Sequence, residues 1–181
     1  MSNFVYTSSM TVTRLALLLA VIALCTTAFT SDTVKSVGKR AQTFVLEDQF
    51  EKRWSWQTHW KGKPVVLVMS DWKGSDYLTK WTEPLSAHFA DRVQFVACAD
   101  VSLAPAFLRS FLRNKFRDAY RHSVLLDWDG DLFEHYHTQA GLPNVIFIDP
   151  TETVRLHTWG VGKVEHVQSF TVQLERLLSE R

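Results

Sequence analysis

Sulfur chemistry is almost absent from this sequence. Its 181 residues include two cysteines, Cys25 and Cys98, and Cys25 sits in an N-terminal apolar stretch that reads as a targeting segment. Without that segment one thiol remains, which excludes an internal disulfide and any dithiol chemistry within a single chain. A surplus of charge is missing too. The formal net charge is +1, whereas a dedicated nucleic-acid binder carries a clear basic excess, so no nucleic-acid partner is expected. The N-terminal apolar stretch, LALLLAVIALC from Leu15 to Cys25, is eleven residues long, short of the about 20 that a bilayer-spanning helix needs. Internal repeats and low-complexity tracts are lacking as well.

What is present describes an ordinary globular chain of about one domain: 46% apolar residues, 22% charged, and seven tryptophans for the core. The first residues stand apart. Arg14, the short apolar stretch and the small residues Thr26 and Ala28 have the order of a secretory signal peptide. Residues 1–28 are therefore expected to be a leader, with Met10 an alternative start, residues 29–40 a polar linker, and residues 41–181 the folded domain. Export to the periplasm is the expectation; an uncleaved N-terminal membrane anchor, or lipidation at Cys25, is the alternative.

Beyond the linker, TFVLED (Thr43 to Asp48) and RWSWQ (Arg53 to Gln57) flank a polar turn and predict a hairpin. The continuous apolar run PVVLVMS (Pro64 to Ser70) predicts a strand buried on both faces. Helical spacing follows over 75–90, then a second buried strand, VQFVACA (Val93 to Ala99). Residues 102–120 predict an amphipathic helix whose Phe107, Leu108, Phe111, Leu112, Phe116, Ala119 and Tyr120 face the core. A strand at SVLLD, a short helix over 132–138, a hairpin of NVIFID with TVRLHTWG, and a closing helix over 164–178 complete the pattern. Strands alternating with helices, ending in a hairpin, mean an α/β fold with a mixed sheet.

In this order and spacing, LEDQF, KGKPVVLV, Trp72 opening a turn, VLLDWDGDLFEHYHTQAGLPNVIFID and TWG resemble the thioredoxin-fold superfamily, in its peroxiredoxin and TlpA-like (redoxin) group. The stretch DVSLAPAFLRSFLRNKF is similar to the exported YtfJ-type thioredoxin-like proteins, which lack the cysteine pair. The resemblance implies a thioredoxin-like fold, with a central mixed sheet flanked by helices on both faces and an N-terminal β-hairpin extension. It also implies a cis-proline at Pro143 facing the turn. Redox-active members carry cysteines in that turn; here it reads Trp72, Lys73, Gly74, Ser75, Asp76. A lysine gains nothing from the helix dipole, so Lys73 should point into solvent, while Asp76 suits a helix N-terminus and is expected to help cap it.

The expected function is thus a non-catalytic binding or accessory module of the cell envelope, holding a protein or peptide at Trp72, Lys73, Asp76, Leu142 and Pro143, with no cofactor. The alternative is a thiol oxidoreductase or peroxidase-like enzyme using Cys98 alone, although a cysteine inside an apolar strand is usually inert core. Ser75 has no triad context. DWDGD (Asp127 to Asp131) lacks the spacing of a calcium loop and reads as a turn. His135 and His137 should point to opposite sides of a helix, and no metal is expected. Arg109, Arg113, Arg117 and Arg121 recur every four residues with only Asp118 in opposition. They read as a solvated face or as a stripe for an anionic envelope surface, and relieving their mutual repulsion should cost no stability.

Overall fold

The computed structural model describes residues 34–180. The expected leader, the first part of the expected linker and Cys25 lie outside the described residues. A seven-stranded sheet organises the chain: β1 (Val45–Asp48), β2 (Arg53–Ser55), β3 (Val65–Ser70), β4 (Gln94–Asp100), β5 (Val124–Asp127), β6 (Asn144–Ile148) and β7 (Val154–Trp159), in the order β2-β1-β5-β4-β3-β6-β7. The β3–β4 and β4–β5 pairs are parallel and the remaining pairs antiparallel, so the sheet is mixed. Helices α1 (Trp56–His59), α2 (Leu78–Phe89), α3 (Arg109–Ala119), α4 (Asp131–Tyr136) and α5 (Val164–Ser179) accompany it.

All six residues of β3 are buried, and the two-residue period of a strand divides them between two cores. Val65, Leu67 and Met69 join Trp56, Trp60, Leu132 and Tyr136 on one face, from α1 and α4 and the segments beside them. Val66 and Val68 join Trp81, Leu85, Phe89, Phe170 and Leu174 on the other, from α2 and α5. Burial on both sides is why this strand reads as an unbroken apolar run rather than an alternation.

Three expectations are corrected. Residues 34–40 are not a linker. The Gly38 and Val154 amides donate to Val154 and Lys39 carbonyls, Arg40 bridges to Thr153 and pairs with Glu152, and Ser36 is buried. This segment is a turn docked at the start of β7 by these backbone bonds and by the side chains of Ser36, Val37 and Arg40, and its polarity misled because its polar groups find partners in the domain. Trp56 and Gln57 belong to a single helical turn, not to the hairpin strand. The third concerns residues 102–120. The helix begins at Arg109 after a 3-10 turn (Ala106–Leu108), because Pro105 is extended. It buries no residue fully, and Phe107 and Phe111 are 83% and 55% exposed. Its inward side carries Arg113 and Arg117 beside the half-buried Leu112 and Phe116. Arg113 donates to the Asp48 carbonyl at 2.8 Å and to Glu47 at 2.7 Å, and Arg117 Nε donates to the Gln49 carbonyl at 2.7 Å.

Candidate functional site

The turn after β3 starts from Asp71, which the sequence reading passed over. Its Oδ1 accepts from the Gly74 amide at 2.8 Å and its Oδ2 from the Gly141 amide at 2.7 Å. One carboxylate therefore caps the 3-10 turn (Gly74–Tyr77) leading into α2 and ties it to the loop before β6. The capping role expected of Asp76 is thus taken by Asp71; Asp76 is exposed and bonds no backbone amide. An Asp directly after the strand, followed three residues later by Gly, is a capping signal that could have been found in the sequence.

Gly74 is buried, and a Cβ there would lie 2.5 Å from Ser70 Oγ and 2.7 Å from the Leu142 carbonyl carbon. The turn thus rests directly on the Leu142 backbone. Ser75 closes it from outside, donating to the Trp72 carbonyl at 2.7 Å. Trp72 projects outward, 87% exposed, and Lys73 is exposed beside it.

The fold brings Leu142 and Pro143 against this turn, with two corrections. No peptide bond among the described residues is cis, so the Leu142–Pro143 bond is trans. Pro143 is also buried rather than displayed. Both carbonyls flanking the bond are held: Asn144 Nδ2 donates to Leu142 at 2.9 Å and the Gly160 amide to Pro143 at 3.1 Å. The trans isomer is the ordinary preference of an X–Pro bond. Of the expected contact surface, Trp72, Lys73, Asp76 and the partly exposed Leu142 remain available.

Cys98 lies in β4, 3% exposed. Burial pushes its thiol pKa well up, and the Asp127 and Asp100 carboxylates add to the shift. A thiolate, the nucleophilic form, is therefore disfavoured there. Asp127 is itself buried. It accepts from the Gly130, Leu132 and Phe133 amides, so DWDGD is the start of α4 built on a left-handed Gly130.

His135 and His137 do not point apart. His137 follows the end of α4 in the left-handed region (φ 52°), which turns it back, and both line a shallow pocket of about 420 Å³ with Lys39, Gln42, Asp131 and Glu134. Among the described residues no three potential ligands gather closely enough to hold a metal ion. A further pairing went unseen in the sequence. Ser36 Oγ meets His157 Nδ1 at 2.6 Å, and His157 Nε2 lies 3.3 Å from Asn144 Oδ1. Ser36 and Asn144 are at most 2% exposed and His157 7%. This is a closed polar bridge from the N-terminal segment to the sheet, with no room for a substrate.

The stripe of arginines is likewise divided. Arg113 and Arg117 clamp the β1–β2 turn, and Arg109 lies over the Trp128 ring at 5.0 Å. Arg121 is exposed beyond the end of α3.

No protein-family model matches the chain, and no curated protein does. Solved structures do. The exposed lipoprotein thioredoxin of Streptococcus pneumoniae superposes with a TM-score of 0.58 at 19% identity, covering 77% of this chain and 100% of that one. A Chlorobium tepidum protein assigned as thiol:disulfide interchange protein DsbE gives 0.61 at 20% identity, covering 78% and 97%. The thioredoxin domain of a thiol-disulfide oxidoreductase from Bacteroides vulgatus gives 0.50 at 20% identity, covering 74% and 96%. The chain has the thioredoxin-like fold, in the form with a β-hairpin on the edge of the sheet.

Proposed function

We propose that this is an exported thioredoxin-fold protein that binds rather than catalyses, an accessory module of the cell envelope. One observation carries the reading. Where redox-active proteins of this fold present cysteines, this chain presents Lys73 and Asp76, and its Cys98 is sealed in β4. The apolar leader supports export, as does the likeness to a lipoprotein thioredoxin. Among the described residues no helix is long and apolar enough to cross a membrane.

The contact face is the exposed Trp72 with Lys73 and Asp76. A large aromatic 87% exposed on a rigid turn is a ready anchor for a peptide or protein partner. The turn is rigid because Asp71 ties it to the Gly141 loop and Gly74 seats it on Leu142.

The purified protein is expected neither to reduce insulin disulfides nor to consume peroxide. Lys73→Cys with Asp76→Cys would rebuild a CxxC at a helix N-terminus, where the dipole favours a thiolate, and should confer measurable insulin reduction. Robust activity of the unmodified protein that disappears in Cys98→Ala would overturn the proposal and install the single-thiol enzyme in its place.

A further inference from the structure

The helix expected to put its apolar side into the core leaves an apolar ridge outside it. Leu103, Phe107 and Phe111, spaced four residues apart, are 97%, 83% and 55% exposed. The helix cannot readily roll to hide them, because Arg113 and Arg117 hold its opposite side to the carbonyls of Asp48 and Gln49. We propose that this ridge is a membrane-docking element that inserts into the interface of a bilayer containing anionic phospholipid. The proposal is independent of the Trp72 face and of whether that face binds anything.

Three observations choose this occupant. With Arg113 and Arg117 paired to Glu47 and Glu51, the segment from Leu103 to Arg121 still carries Arg109, Lys115 and Arg121 against Asp118 alone, so its remaining field is positive and complements acidic headgroups. Lys115 is exposed with its ammonium 5.5 Å from the Phe111 ring centre. The cation thus stands over an aromatic of the ridge itself, where acidic headgroups would meet it beside the inserted ring. Third, the ridge is convex, three side chains standing off a turn and the outer side of a helix. A fluid interface accommodates such a shape without a matching groove. A second copy docked ridge to ridge would instead bring the same cations together, which is unfavourable.

The ridge differs from the arginine stripe expected from the sequence. Two of those arginines are spent on the protein itself, and the insertion falls to Leu103, Phe107 and Phe111.

The test uses the full chain with Cys25→Ser and one added cysteine carrying an environment-sensitive fluorophore, since the native Cys98 is buried. Ser110→Cys places the label beside Phe111 without removing a ridge residue; Glu83→Cys on α2 places it elsewhere. Titration with vesicles of phosphatidylcholine containing phosphatidylglycerol should blue-shift the label at 110 and not the label at 83. Phosphatidylcholine alone, or added salt, should weaken the response. Phe107→Ser with Phe111→Ser should raise the lipid concentration needed at least about tenfold, since each ring loses its apolar burial. No shift at 110, equal shifts at both labels, or a shift at 110 that survives the double substitution would overturn the proposal. So would a shift that depends on protein concentration without vesicles, which would assign the ridge to a second copy.

Discussion

Gly74 shows how one residue fixes the geometry of a face. Its missing side chain lets the turn approach Leu142, and the atoms a Cβ would meet include backbone that cannot step aside. Gly74→Ala should therefore lower stability by about 1–3 kcal/mol, as overpacking does, and urea unfolding with an unchanged slope would read it. An unchanged midpoint would mean that the turn and the Leu142 loop separate freely, which would remove the rigid setting argued for Trp72. Asp71 belongs to the same scale. A two-toothed acceptor serving Gly74 and Gly141 makes two loops into one surface, and neither loop shows it alone.

At the scale of an element, α3 is the instructive case. Its periodicity is genuine, yet the fold covers only part of its apolar face. The half-buried Leu108, Leu112 and Phe116 pack inward while Phe107 and Phe111 stay out. On sequence alone, Arg113→Gln with Arg117→Gln relieves repulsion and costs nothing. With the hydrogen bonds in view, the same double substitution should destabilise by about 1–3 kcal/mol, because bonds from charged donors are lost and the Asp48 and Gln49 carbonyls lose partners. Chemical denaturation decides between the two signs. Hydrogen exchange should locate the loss at the β1–β2 turn, whose Gln49 also bonds the Tyr120 and His122 carbonyls and the Val124 amide.

For the whole molecule, the Ser36–His157–Asn144 bridge joins the N-terminal segment to the sheet and sets an acid limit. Burial, with a smaller contribution from His137, lowers the His157 pKa to about 4 from 6.5. The folded protein thus binds fewer protons at this site than the unfolded chain. Its contribution is complete above pH 6.5 and is lost as pH falls towards 4, by roughly 3 kcal/mol at most. Other carboxylates act lower down. Asp48 and Asp149, whose hydrogen bonds outweigh burial and depress them, lose their contribution only below the usual carboxylate range. Asp127, raised by burial, acts in the opposite sense, favouring the fold where it is protonated. Unfolding free energy measured across pH 6.5 to 4 should therefore fall, and His157→Gln should flatten that slope even though it lowers stability at neutral pH. An unchanged slope in the variant would place the acid sensitivity elsewhere.

The sequence by itself determined the elements and their sum. The doubly buried β3, the neighbouring strand β4, the closing hairpin and the final helix are dictated by side-chain period and turn residues, which are local properties. It also determined that no cysteine pair stands in the turn after Trp72, since absence of a residue needs no coordinates. Tertiary structure alone decided the rest. Asp71, whose bond to Gly74 is local, also ties the turn to the loop before β6, because Gly141, 70 residues away, supplies its second donor. Pro143 is buried, with the carbonyls of Leu142 and Pro143 held by Asn144 and by the Gly160 amide. Residues 34–40 are a docked turn rather than a linker because the start of β7 offers them backbone partners, and Arg113 and Arg117 turn inward because a hairpin turn presents its carbonyls there. Each of these depends on partners distant in the chain, whose positions local periodicity does not encode.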